Sequence, residues 1–328
     1  MVDEENVTAQ LLRLAGAPPD PSAERTARVH EAVHRAWHAN RRRRMIRHGA
    51  TIGLLGVAAA LVIAVWMNRP SVVVAPSNQV VAIGQRIQGR PIVTRAHERT
   101  AARQPLSVST AIHLGDVVET DGASRAALQA ADGSSVRIDR ASQLVFLAPA
   151  AIEVTAGGVY IATSDGSPGF EVRTVMGTIR DVGTQFEVRL AGSALRIRIR
   201  TGTVEIRRGQ DIRAAAAGTE AMVTTSSIAV RQVQSFGADW RWTTDVAPPF
   251  AIDGRPLHVF LEHIVAEEGW TLRYSNPDVA EAARRIVLHG SVDGLKAEKA
   301  LDVTLATSGL QYRLEAGELL VSRPATAR

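Results

Sequence analysis

Hydrophobic and polar residues alternate along the middle of this chain with a period of two, in short runs separated by Gly, Asp and Ser. Ala126, Leu128 and Ala130 form one run; Val136 and Ile138, Ile152 and Val154, Val159 and Ile161, and Phe170 and Val172 follow. Successive side chains of a strand point to opposite faces, so such runs predict strands, and Asp132-Gly133 between two of them predicts a hairpin or tight turn. In the segment LRIRIRTGTVEIRRG, Leu195, Ile197, Ile199, Val204 and Ile206 share one face and leave Arg196, Arg198 and Arg200 on the other. That arginine row could take phosphate or lipid head groups, but the favoured reading is the wet face of an antiparallel or solenoid sheet.

The pattern changes toward both ends. FAIDGRPLHVFLEHIVAEEGWTLRY reads strand, helix, strand, with Leu257, Phe260, Leu261, Ile264 and Val265 on one helical face. The residues after it repeat that order, with Leu301, Val303 and Leu305 in the second helix and a final hairpin turning at residues 315–317. Toward the other end, residues 49–68 carry no charge, and at about 1.5 Å rise per residue roughly twenty residues match the ~30 Å hydrocarbon core of a bilayer. One membrane-spanning helix is predicted there, with residues 69–78 as a linker leaving it. Arg41, Arg42, Arg43, Arg44 and Arg47 precede it and Trp66 sits near its far end, which places residues 1–48 in the cytoplasm and residues 69–328 outside it. After Asp20 and Pro21, the residues Val29, Ala32, Val33, Ala36 and Trp37 recur at helical spacing and form one apolar stripe. A segment this short has no core of its own, so Val29, Val33 and Trp37 are expected to bind a partner protein.

Composition narrows the chemistry. The chain has 328 residues, 45% of them hydrophobic, and a net charge of +5, a modest excess for its length and not the basic face of a nucleic-acid binder. With no cysteine, disulfides, Cys-based zinc sites and thiol nucleophiles are excluded. His30, Glu31 and His34 match the His-Glu-x-x-His pattern, in which two imidazoles one helical turn apart hold zinc and the Glu activates water. Such a site needs a third ligand and a substrate cleft on the same side of the membrane, so a solvated polar helix face is the preferred reading.

The stretch MGTIRDVGTQFEV, residues 176–188, looks at first like a catalytic loop. Gly177 and Gly183 permit close turns, Thr184 supplies a hydroxyl, and Phe186 returns an apolar side chain to the core. Asp181 has no His or second carboxylate beside it in the motif to make an acid–base pair, so a turn held by an Arg180–Asp181 contact is expected. No catalytic residue, cofactor or metal is predicted.

VRTVMGTIRDVGTQFEV, followed by a strand and GTVEIRRG, resembles the signature of FecR-type proteins, membrane-anchored regulators of extracytoplasmic-function sigma factors. LGDVVETDGASRAALQAADGSSVRID is similar to the earlier repeats of the same domain, with Gly115, Thr120, Asp132 and Gly133 at its turns. The resemblance covers roughly residues 79–210 and implies a β-rich, solenoid-like domain without catalysis. The two C-terminal strand–helix–strand units resemble the short N-terminal domain of secretins and TonB-dependent transducers. The expectation is a single-pass protein of the bacterial inner membrane: a helical segment at 1–48, a span at 49–68, a mainly β periplasmic domain at 79–235 and a small α+β domain of two βαβ-like units at 245–323. The implied partners are a sigma factor inside and the signalling domain of an outer-membrane TonB-dependent transducer outside. A tethered binding or scaffold protein without a sigma partner is the alternative.

Overall fold

Strands between Val80 and Gln232 build two nine-stranded sheets in a computed structural model that describes residues 78–96, 102–163, 169–181 and 183–324. The chain divides into two units, residues 1–73 and 74–328, and every described residue belongs to the second. Successive hairpins alternate between the sheets. Arg125–Ala130 and Ser135–Ile138 lie in the first sheet, and Gln143–Ala148 and Ala151–Ala156 in the second. Gly158–Ala162 returns to the first, Glu171–Thr174 and Gly177–Asp181 belong to the second, and Gln185–Ala191 and Ala194–Thr201 to the first. Thr203–Arg208 with Asp211–Ala216, then Thr219–Val223 with Ile228–Gln232, complete the alternation. Pairing is antiparallel except where Glu171–Thr174 runs parallel to Ala151–Ala156.

One face of each sheet supplies a common core, which is why the period-two pattern was readable. Leu128, Val136, Ile152, Val159, Phe170 and Val172 are all fully buried in it. Ile197 and Ile199 of the first sheet meet Val204 and Ile206 of the second in the same core, with the corner between the two strands at Gly202. Gly202 has φ 75°, and a Cβ there would come within 2.4 Å of the Thr184 methyl group, so only glycine fits that corner.

A helical strap and a small α/β module follow. The helices are α1 (Arg241–Asp245), α2 (Leu257–Glu268), α3 (Pro277–Arg285) and α4 (Ala297–Ala306). Glu318–Ser322 is the central strand of a three-stranded sheet, parallel to Thr271–Tyr274 and antiparallel to Gln311–Glu315. Leu257, Phe260, Leu261, Ile264, Leu301, Leu305, Leu319 and Val321 belong to a second core, separate from that of the sheets. The last hairpin turns through Ala316 and Gly317, both at positive φ (48° and 81°), as a two-residue type I′ turn requires. One detail differs from the sequence pattern: the strand expected to open each βαβ-like unit is reduced to one bridge between Pro256 and Val287. Leu301, Val303 and Leu305 all lie in α4 as expected, with Val303 on its outer side at 48% exposure because two positions turn about 200° around a helix.

The single-pass inner-membrane topology is corrected. Among the described residues no helix is long and apolar enough to cross a membrane. The longest, α2, has 12 residues and spans about 18 Å at 1.5 Å per residue, against a hydrocarbon core of ~30 Å. Residues 49–68, on which that expectation rested, lie outside the described residues. The described fold is two-sheet β followed by a small α/β module.

Candidate functional site

The outer face of the first sheet carries a register row of polar and charged residues. Arg86 stands opposite Ala127, Ala127 opposite Arg137, Arg137 opposite Tyr160, and Tyr160 opposite Glu187. The row continues through Arg198, Glu220 and Arg231. Opposite charges directly across neighbouring strands attract, and here they pair: Arg198 Nε donates to Glu220 at 2.7 Å, and Arg231 Nε donates to the other oxygen of the same carboxylate at 2.8 Å. Glu187 accepts from Arg189, Arg196 and the Trp242 indole N–H.

The middle of this face is covered, while Arg231 at its edge is exposed. Of the arginine row expected to be solvated, Arg200 is 2% exposed and Arg198 9%, with Arg137 nearby at 1%, which corrects that expectation for these two; Arg196 stays partly exposed. What covers the middle comes from later in the chain. Trp240, Trp242 and Val246 of the strap pack on Ala127 and Tyr160 as a third apolar cluster, and the end of α2 lies beside them. Sequence periodicity can show that a residue leaves the core, but not what buries its other side.

At the centre is Glu267, its carboxylate held by one arginine and its backbone carbonyl by another. Arg137 donates through both terminal nitrogens to Glu267, at 2.6 and 2.7 Å, and also to the Thr243 carbonyl at 2.9 Å. Arg200 donates to the Glu267 backbone carbonyl, to the Ser235 carbonyl at 3.1 Å and to the Tyr160 hydroxyl at 3.3 Å. Both guanidinium groups also lie near the Tyr160 ring, 5.1 and 5.4 Å from its centre, and Arg200 is 4.5 Å from that of Trp240. Burial pushes the Glu267 carboxyl upward, yet the charge and hydrogen bonds of Arg137 outweigh it and hold the group below the ordinary glutamate range. The next residue, Glu268, behaves oppositely. Burial raises it, the neighbouring carboxylates Glu267, Glu298 and Asp245 add to the rise, and Arg200 only partly offsets them.

Glu267 and Glu268 also line a cleft of about 920 Å³, walled by Phe236, Phe250 and Trp270. His263 stacks on Phe250 there, ring centres 3.8 Å apart, and burial lowers its pKa. Among the described residues no group of three His, Cys, Asp or Glu could hold a metal ion. The arrangement is built for ionic recognition between parts of a protein.

Residues 176–188 form a structural hub. Asp181 is fully buried and accepts from the Thr163 hydroxyl at 2.7 Å, the Thr184 hydroxyl at 2.8 Å, the Thr184 amide at 3.2 Å and the Phe170 amide. Arg180 is exposed on the opposite face, so the expected Arg180–Asp181 contact does not form: consecutive strand residues point apart. Phe186 is fully buried in the common core, Gly183 adopts φ 68°, and at Gly177 a Cβ would meet the Arg207 carbonyl at 2.7 Å. Val29, Val33 and Trp37, and the His30–His34 pattern, lie outside the described residues. Sequence reasoning missed Arg137, Tyr160, Glu267 and the strap tryptophans. The available signal was the pair of tryptophans in ADWRWTTD, just after the last strand of the first sheet.

Comparison with known proteins gives a family match within this body. Residues 116–205 match the family model described as FecR protein. Two crystal structures of a "putative anti-sigma factor" from Parabacteroides distasonis ATCC 8503, at 2.50 and 1.65 Å resolution, are each 15% identical to this chain with a TM-score of 0.34. Each alignment covers 64% of this chain and 99% of that one. Comparison with the curated proteins gives no match.

Proposed function

We propose that this chain, with its FecR-type region at residues 116–205, is a sigma-factor regulator of the anti-sigma type that acts by protein binding and not by catalysis. One observation carries the reading: the family match runs from Asp116 into the strand Thr203–Arg208, through the hairpins that form the common core. Its most motif-like residues serve that core, Asp181 as a hydrogen-bond hub and Phe186 as packing. In this reading the β body and the α/β module receive a signal and pass it to a sigma factor held by the stripe of Val29, Val33 and Trp37. The signalling domain of a TonB-dependent transducer is the proposed partner of the α/β module.

The test is co-expression of the full chain with the extracytoplasmic-function sigma factors of its own genome, followed by affinity capture. One of them is expected in near-stoichiometric amount, and Val33→Asp with Trp37→Ala should release it. A folded chain that captures none of them would favour the binding or scaffold reading.

A further inference from the structure

We infer that the α/β module is a releasable unit, and that Arg137, braced beside Tyr160 and Arg200, is a carboxylate receptor which Glu267 occupies as an intramolecular ligand. This goes beyond the sigma-factor reading and does not rest on it.

Four observations carry the inference. The module has its own core, so it can leave the sheets without unfolding. Its contact with the body and strap includes polar and close-backbone meetings. Besides the Glu267 clasp there is a surface ion pair between Arg86 and Asp293, and two glycines approach closely: a Cβ at Gly269 would fall 2.1 Å from the Ser235 carbonyl oxygen, and one at Gly317 2.5 Å from the Phe236 ring. A contact of this kind resembles a transient interface more than a domain core.

Third, the docked state leaves polar groups without a protein partner. Arg137 Nε and Arg200 Nη2 are buried and donate to no protein group, so release would rehydrate them. Fourth, Glu267 and Glu268 end α2, where the helix dipole disfavours negative charge. Arg137 neutralises Glu267 there only while the module is docked, whereas Glu268 makes no ion pair among the described residues. A buried ion pair adds little net stability but is costly to break from one side. If Glu267 loses its carboxylate, the cheapest way to rehydrate Arg137 is to lift the module, since Arg137 sits on the outer face of the sheet and not in the common core. The strap stays seated through Trp240, Trp242 and Val246, and the movement falls to residues 247–250, which include Pro248 and Pro249.

The test uses the full chain and an arginine-modifying dicarbonyl reagent, with modification at each arginine followed by peptide mass spectrometry. In the unaltered chain Arg137 and Arg200 should react far more slowly than Arg207 and Arg313, which are 57% and 67% exposed at their side chains. In Glu267→Ala the rate at Arg137 should rise at least tenfold while the backbone amides of Ser135–Ile138 and Ala194–Thr201 keep their protection from hydrogen exchange. Phe236→Ala, which weakens the contact without touching the ion pair, should raise it several-fold, and Glu267→Asp should lie near the unaltered chain. An unchanged Arg137 rate in both Glu267→Ala and Phe236→Ala would overturn the inference. So would a rise that always accompanies loss of amide protection in those strands, because the module would then be part of one cooperative fold.

Discussion

Glu267, at the last turn of α2, meets Arg137 of the first sheet through two parallel hydrogen bonds at 2.6 and 2.7 Å, across 130 residues of sequence. The pair ties together two parts of the chain whose apolar cores are separate.

Removing one partner should be far worse than removing both. Arg137→Ala or Glu267→Ala leaves a buried charge uncompensated and should cost the docked state about 3–5 kcal/mol, whereas Arg137→Met with Glu267→Leu should come within about 1–2 kcal/mol of the unaltered chain. Chemical unfolding followed by tryptophan fluorescence reads both, and equal losses in the single and double variants would remove the clasp from the picture.

The pH dependence of docking follows from Glu267. Its folded pKa lies below the unfolded value, so its contribution is complete above the ordinary glutamate range near ~4.3 and is lost as pH falls through the depressed value. Docking should be insensitive to this group between about pH 6 and 8 and weaken in acid. Glu268 has the opposite sign: its raised pKa means a contribution lost as pH rises, and Glu268→Gln should therefore raise the melting temperature at neutral pH. Melting temperatures followed from about pH 2 to pH 8 check both.

Asp181 accepts four hydrogen bonds, with a backbone amide on each oxygen, Phe170 on one and Thr184 on the other. An asparagine would turn its N–H groups toward one of those amides whichever way it flips. Asp181→Asn should therefore cost about 2–3 kcal/mol, measured by denaturant unfolding, more than a turn-pinning contact would.

Phe186→Ala should destabilise the two-sheet body by about 3–5 kcal/mol, and Phe260→Ala should do the same to the module. The separate cores predict that the two losses appear in different regions under hydrogen exchange. A substitution in one core that strips protection from both would contradict that division. Gly183→Val should also weaken the body, by strain at φ 68° and not by collision, since no atom lies within 4 Å of a Cβ there.

The strands were legible because burial of Leu128, Ile152, Val159 or Ile197 is written in local alternation. The role of Arg137 and Arg200 was not, because what covers the outer face of a sheet is decided by residues about 35–130 positions away. The same limit applies to Asp181, whose partners Thr163 and Phe170 stand 18 and 11 positions earlier, just after Gly158–Ala162 and just before Glu171–Thr174. One error was avoidable from geometry alone: Arg180 and Asp181 are consecutive in a strand and point to opposite faces.

The most direct measurement of the clasp is a distance. Because the chain has no cysteine, spin labels can be placed uniquely at Arg213→Cys on the second sheet and Lys299→Cys on α4, both largely exposed. Pulsed dipolar spectroscopy should give one narrow distance distribution in the otherwise unaltered chain and a broad, longer population when Glu267→Ala is added, with both cores still protected from exchange. A narrow distribution that Glu267→Ala leaves unchanged would contradict the central claim.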